Sequence, residues 1–468
     1  MNAVVRRVSA ALIAVLFTSD AVGLAYTRPT SNVPANWSEA SDANTIGGTE
    51  NIAQWWKVFN DPQLDSLIQR AMSGSHDLRI AAARLREARA QRGAAFWNLG
   101  PAIDANASFS ESRLSKNAQT LPGVEQNIRL YDAGFDAGWE IDIFGGKRSA
   151  WEAARADVDA SVEDRRDILV SVLAEVARNY VEVRGFQRRL AIAHTNIDTQ
   201  QAALKLTQER FNGGVSGELD VTQAAGLLAG TQSQLPTLET SLKQAMHRLG
   251  VLLGQEPGAL IKDLSQVAPI PATPVAVPVG LPSDLLRRRP DVRRAERQLA
   301  GASARIGVQT AELFPKFSLF GAAGFQSLSA SDWFTNNSRF WSVGPTISWR
   351  LLDFGRIRSQ IKAANAREEQ ALAAYEKAVL LSLEDVENAL VAYTNEKKRY
   401  HSLEEQVNAA RRTVELAKNR YTKGVADFLN VLDAQRSLYQ AEDSLIQSER
   451  TIAVNLITLY KALGGGWN

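Results

Sequence analysis

The stretch from Phe340 to Gly355 reads FWSVGPTISWRLLDFG, and its first dozen residues alternate between two kinds of side chain. Trp341, Val343, Pro345, Ile347, Trp349 and Leu351 fall on one face of an extended strand. Ser342, Gly344, Thr346, Ser348 and Arg350 fall on the other. In a soluble protein such a face covers a core shared with other sheets. The rest of this chain reads as long polar helices with no second sheet to pack on, so the strand calls for another apolar medium.

With 468 residues, 45% of them hydrophobic, 22% charged and only 15 prolines, the chain is globular or elongated helical rather than disordered. The 53 basic and 51 acidic residues leave a net charge of +2, which argues against wholesale nucleic-acid binding. Cysteine is absent, which removes disulfides, thiolate metal sites and thiol nucleophiles together. His76, His194, His247 and His401 have no metal-ligand or triad spacing and read as surface or packing residues. The sequence holds no Walker loop, no GxGxxG after a strand and no GxSxG. No enzyme activity, metal or cofactor is expected.

Arg6 and Arg7 precede the apolar run Val8 to Phe17, too short to span a bilayer but suited to a signal peptide over residues 1–25. Small residues at Gly23 and Ala25 suit cleavage before Tyr26; an uncleaved amphipathic helix is the other reading. No later window offers the roughly 18 uninterrupted apolar residues of a membrane helix, so membrane insertion must use strands.

The chain repeats itself. A shift of 210 carries Trp341, Trp349, Phe354 and Gly355 onto Tyr131, Trp139, Phe144 and Gly145, and Gly424, Val425, Leu429 and Ala434 onto Gly214, Val215, Leu219 and Ala224. Upstream the shift becomes 214, matching Asp291, Arg293, Leu299 and Pro315 with Asp77, Arg79, Leu85 and Pro101, so the first hairpin loop is four residues longer. The first unit is expected over 26–254, with strands at about 102–112 and 128–142 and long helices at 145–211 and 218–254. The second is expected over 284–468, with strands at about 316–327 and 340–352 and helices at 355–421 and 427–462. Between them lies a Pro-rich crossover linker, 255–283, containing IPATPVAVPVGLP.

All four strands alternate. Asp104, Asp132, Asp136, Glu140 and Asp142 lie opposite the apolar face, with Arg350 the strong basic residue on the matching face of the fourth strand. The pairs Tyr131/Trp139 and Trp341/Trp349 are eight residues apart. At ~3.3 Å per residue and a tilt near 40° they span roughly 20 Å, the spacing of the lipid-interface aromatics of an outer-membrane barrel. Four strands cannot enclose a lumen, since the smallest such barrels use about eight, so several chains must contribute.

The helices carry strict heptads. Val162, Leu169, Val176, Val183, Leu190, Ile197, Leu204 and Phe211 recur every seven residues, as do Leu372, Val379, Val386, Tyr393, Tyr400, Val407, Val414 and Tyr421. Each helix should be on the order of 100 Å long at 1.5 Å per residue. On helices alone, a coiled-coil scaffold shares this signature.

WEIDIFGGKRSA (139–150), GLPSDLLRRRPDVRRAE (280–296), RYTKGVADFLNVLDAQRSLYQAE (420–442) and YKALGGGWN (460–468) resemble the outer-membrane efflux protein family, the TolC-like exit ducts of tripartite pumps. The resemblance covers nearly all of the chain after the signal. It implies a mainly α fold with a β-barrel portion: a homotrimer with a twelve-stranded barrel in outer-membrane lipid and a long periplasmic α-helical tunnel. It also implies an equatorial region built from the linker and chain ends, including IAQWWKVFNDPQLDSLI (52–68). The implied partners are a periplasmic adaptor and an inner-membrane, proton-driven transporter, and the implied cargo is drugs or other small amphiphiles. A duct for protein export has the same architecture, and a non-channel coiled-coil scaffold is a more distant alternative.

By the same resemblance, Gly213, Gly214 and Val215, with Lys423, Gly424 and Val425, form the tips that meet the adaptor. Gly214 and Gly424 also suit left-handed helix caps. Leu429 and Asp433, one turn apart, are the implied periplasmic gate, tied by a Tyr421 to Asp220 hydrogen bond. Asp220 and Asp433 also read as first-turn acids favoured by the helix dipole. Ala426 stands where some relatives have Arg, so part of that tie is missing. Asp20, in FTSD, stands where many relatives carry a lipidated Cys, so a free N-terminus near Tyr26 is expected.

Overall fold

The structure, a computed structural model, describes residues 26–30, 33–39, 45–46, 52–115, 117, 127–274 and 277–467. The expected signal peptide and most of the longer hairpin loop lie outside them. In chain order the elements are β1 (Thr45–Ile46), a 3-10 stretch (Ile52–Phe59), α1 (Pro62–Gly74), α2 (His76–Trp97), β2 (Ala102–Arg113), β3 (Asn127–Ile141), α3 (Gly146–Asn212), α4 (Glu218–Gln232) and α5 (Leu235–Leu252). There follow β4 (Val277–Pro278), α6 (Pro282–Arg288), α7 (Pro290–Ala311), β5 (Lys316–Ser327), β6 (Arg339–Ser348), α8 (Phe354–Thr422) and α9 (Phe428–Ala462). The chain divides into two compact units.

One unit takes in residues 84–162 and 294–375 and holds an antiparallel sheet in the order β2-β3-β5-β6. Its register puts Phe135 opposite both Ala105 and Ala323, and Ala323 opposite Trp341, so the apolar alternation of each strand merges into one face. At the β3–β5 junction, where the two repeats meet, Gly134 pairs with Gly324. Phe144 stacks on Phe314 at 4.5 Å between centroids, closing the sheet end that leads into α3.

The other unit takes in residues 31–83, 163–293 and 376–468. Its core gathers Trp55, Phe59, Leu64, Leu67, Ile68, Leu173, Val176, Val183, Leu249, Val386, Tyr393, Leu456 and Tyr460. Val176, Val183, Val386 and Tyr393 are heptad positions, and each is at most 1% exposed, so the seven-residue period marks the packed stripe of both long helices. Trp55 stacks on Tyr460 at 5.7 Å, and Trp467 lies under the guanidinium groups of Arg166 at 4.4 Å and Arg293 at 5.2 Å. The linker supplies β4, which pairs in parallel with β1.

Asp61 starts α1: its carboxylate accepts from the Gln63 and Leu64 amides at 2.9 and 3.1 Å, with Pro62 at the first helical position. The buried Tyr180 hydroxyl donates to the same carboxylate at 2.6 Å. Burial, with that hydrogen bond, pushes the Tyr180 hydroxyl well above its ordinary pKa. Asp61→Ala is expected to cost about 2–4 kcal/mol, a cap plus a buried hydroxyl proton left without its acceptor, whereas Asp61→Asn should retain most of the cap. Thermal unfolding in detergent, with the melting point lower for Ala than for Asn, checks this.

Two expected elements change by more than a residue at a boundary. The helix expected over 218–254 breaks between Gln232 and Leu235, because Pro236 has no N–H for the Gln232 carbonyl. The strand expected over 340–352 ends at Ser348, and Leu351 and Leu352 turn into α8. Arg350 therefore lies beyond the strand rather than on its polar face.

Candidate functional site

The apolar face of the sheet is exposed. Ile103, Phe135, Trp341, Val343 and Ile347 are each at least 63% exposed. Leaving such side chains in water forfeits ~1.5–3 kcal/mol apiece, so the face is built for an apolar environment. At one end, Trp139 and Trp349 donate their indole N–H groups to the carbonyls of Leu99 at 2.8 Å and Leu313 at 3.1 Å. The two repeats thus share a hydrogen bond as well as residue types, since each carbonyl belongs to the turn before the hairpin's first strand. At the other end Tyr131 packs on Phe109 at 4.8 Å and Trp333 at 5.5 Å, while Trp341 is 78% exposed. Trp333 and its stacking partner Phe334 belong to the hairpin loop, and sequence reading missed them because loops have no period. The DWF cluster at 332–334 was the available signal.

The opposite face carries the carboxylates. Asp104 faces Asp136 across β2 and β3, and Asn106 donates to Asp136. Asp132 accepts from Gln326 at 3.1 Å, and Glu140 lies 3.9 Å from the Lys147 ammonium. Asp142 departs from this pattern. Past the end of β3, it accepts from the backbone amides of Lys147 and Arg148 at 3.1 and 2.8 Å, capping α3. Lys316 shares the face through its register with Ser348, and pairs with Glu312 at 2.5 Å.

The two helix turns are near copies. Gly214 and Gly424 have φ of +72° and +73°, where a side chain would be strained. Val215 donates to Arg210 O and Gly214 to Phe211 O, both at 2.9 Å; Val425 donates to Arg420 O at 2.9 Å and Gly424 to Tyr421 O at 3.0 Å. This is the Schellman arrangement, and it leaves Gly213, Gly214, Val215, Lys423, Gly424 and Val425 exposed as blunt tips.

Just past the second tip, Leu429 is 49% exposed and the Asp433 side chain 53% exposed, and both line one cleft of about 500 Å³. The Asp433 carboxylate pairs with Arg436 at 2.7 Å. The expected Tyr421 to Asp220 hydrogen bond is absent among the described residues. The Tyr421 ring instead packs on Phe428 at 5.1 Å beneath the Arg210 guanidinium at 4.5 Å, a sandwich that draws its hydroxyl inward. Burial raises the Tyr421 pKa, and nearby Arg210 opposes the rise. No group of His, Asp and Glu suited to a metal occurs among the described residues.

A sheet with one exposed apolar and one acidic face, in a chain whose strand pairs each lead into a helix of 67 or 69 residues, defines a protein with membrane strands and long helices. The chain belongs to the outer membrane efflux protein family, whose profile matches residues 67–255 and 281–465. It is 34% identical over 452 residues to the pyoverdine export outer membrane protein OpmQ of Pseudomonas aeruginosa, covering 95% of this chain and 92% of that one. The outer-membrane channel OprN superposes with a TM-score of 0.90 at 39% identity, over 95% of this chain and 99% of OprN. The open state of the Neisseria gonorrhoeae MtrE channel gives 0.85 at 29% identity, over 95% and 98%. The protein is an outer-membrane efflux channel component.

Proposed function

We propose that three copies close a twelve-stranded barrel through which small molecules leave the periplasm. One observation carries this reading: β2 and β6, the two ends of the sheet, have no strand partner beyond β3 and β5 among the described residues. A sheet with two open edges and an exposed apolar face is a segment of a closed barrel, because lipid tolerates no unpaired edge. Four strands fall short of the about eight that the smallest barrels use, and threefold repetition supplies twelve. The heptad helices continue each segment as coiled coils of a periplasmic tunnel. A periplasmic adaptor meets the tips at Gly213–Val215 and Lys423–Val425, and a proton-driven inner-membrane transporter loads the duct.

Small amphiphiles are the cargo. The relatives named for pyoverdine export and toluene efflux favour this reading over a protein-export duct. Asp104, Asp132, Asp136 and Glu140 line the lumen; Lys147 offsets Glu140 and Lys316 pairs with Glu312, so threefold repetition leaves rings of Asp carboxylates. Purified protein in a planar bilayer is expected to conduct with a reversal potential favouring cations in a salt gradient. Loss of the gene is expected to sensitise cells to small amphiphiles and leave protein secretion intact. Absence of conductance, or a secretion defect with normal susceptibility, removes the reading.

A further inference from the structure

The cleft that holds Leu429 and Asp433 also interrupts the packing of the helix bundle. On one side lies the cluster of Ala224, Tyr421, Phe428, Val431 and Leu432, and on the other that of Ala193, Leu238 and Tyr439. Between them the walls turn polar, with Gln200 of α3, Thr231 of α4, Gln234, and Tyr439 of α9, whose hydroxyl donates to the Gln234 side-chain oxygen at 2.8 Å. Leu227, Leu429 and Leu432 supply the apolar remainder. The one ion pair on the wall, Asp433 with Arg436, is self-neutralising.

Two features mark this space as more than a packing fault. Gly226 and Gly230, one turn apart in α4, both face open space: a Cβ added at either meets nothing within 4 Å. Neither has a positive φ, so the backbone does not require glycine there, and glycine weakens a helix. What the two glycines leave is room. In addition, Gln200 is only 3% exposed, and neither its amide nitrogen nor its oxygen has a partner. An unpaired buried amide is costly, and the terminal torsion of glutamine is broad enough to turn the group toward a molecule in the cleft.

We infer that this cleft binds an uncharged molecule bearing an amide, lactam or urea group with apolar substituents. A carboxamide presents a donor beside an acceptor, so its full complement is a group that offers an acceptor beside a donor. A carboxylate ligand would leave the Gln200 oxygen unpaired, and an ammonium ligand would leave its nitrogen unpaired. Leucines beside the amides favour aliphatic substituents, and a cleft of about 500 Å³ suits a molecule of drug size. Because the cleft shares Leu429 and Asp433 with the gate, a bound molecule stands on the export route; that placement rests on the channel reading above.

The probe is the cyclic dipeptide cyclo(Leu-Leu), whose cis-amide edges present the required pair. Calorimetric titration of the full-length protein in detergent is expected to show saturable binding. Gln200→Leu, Gly230→Leu and N-methylation of both probe amides should each weaken it at least tenfold, with melting points unchanged for the variants. Where Gly230→Leu fails to fold, Gln200→Leu and the methylated probe decide. No saturable binding to the wild type, or equal binding after Gln200→Leu, overturns the site. Bilayer conductance separates the two proposals: conduction without binding removes the site and keeps the duct, and binding without conduction does the reverse.

Discussion

Gly324→Val is expected to abolish outer-membrane assembly, with the protein lost from the membrane fraction and no bilayer conductance. Gly324 and Gly134 face each other across β3 and β5, the strands that join the two repeats. A Cβ at Gly324 would lie 2.4 Å from the Ala133 carbonyl oxygen and 2.6 Å from the Gly134 Cα, and one at Gly134 would lie 2.7 Å from the Ala323 oxygen. These neighbours are backbone and cannot swing aside, so strands β3 and β5 must separate locally and forfeit ladder hydrogen bonds. In lipid each lost partner costs several kcal/mol, because no water replaces it. Gly344, on β6 with the same face parity, meets nothing within 4 Å, so Gly344→Val is the matched control and should assemble normally. Outer-membrane fractionation followed by conductance reads both variants. Wild-type assembly of Gly324→Val would show that the repeat junction tolerates a wider spacing than the sheet displays.

The faces of the sheet were legible because a strand has a period of two and its outer medium is apolar: the parity of Trp341, Val343 and Ile347 alone assigns them. The heptads were legible for the same reason, and Val176, Val183, Val386 and Tyr393 lie in the core. Periodicity does not reveal what a side chain touches. Asp142 has the parity of the carboxylates on the polar face, but the chain soon enters α3, whose free first-turn amides take it as a cap. Tyr421 and Asp220 are near each other in the tip region, yet Arg210 and Phe428 hold the ring away from a hydroxyl-to-carboxylate bond. The break before Leu235 follows from Pro236, which lacks the N–H that would continue the helix, a local effect that the apolar period does not register. Gln200 reads as an ordinary polar residue of a long helix, and only three-dimensional packing places it in a buried wall.

Replacing both Leu429 and Asp433 by alanine is expected to raise single-channel conductance severalfold and to admit large antibiotics, without loss of the assembled protein. In the proposed trimer the exposed Leu429 side chains would gather into an apolar ring that excludes ions by dewetting as well as by size. The single variants separate the contributions. Arg436 pairs with Asp433 at 2.7 Å, so the carboxylate ring is partly neutralised and Leu429→Ala should account for most of the conductance increase. Asp433→Ala should act differently, since it leaves three unpaired guanidinium groups around the constriction and adds a positive ring. Cation preference should fall in that variant, and neutralising the guanidinium as well, with Asp433→Ala and Arg436→Gln together, should restore it. Single-channel recordings with a salt gradient read conductance and selectivity in the same experiment. If the double alanine variant conducts like the wild type in an inserted trimer, the constriction lies away from the Leu429 turn. If Asp433→Ala leaves selectivity untouched, Arg436 does not face the pore, and the ion pair serves only to hold the first turns of α9.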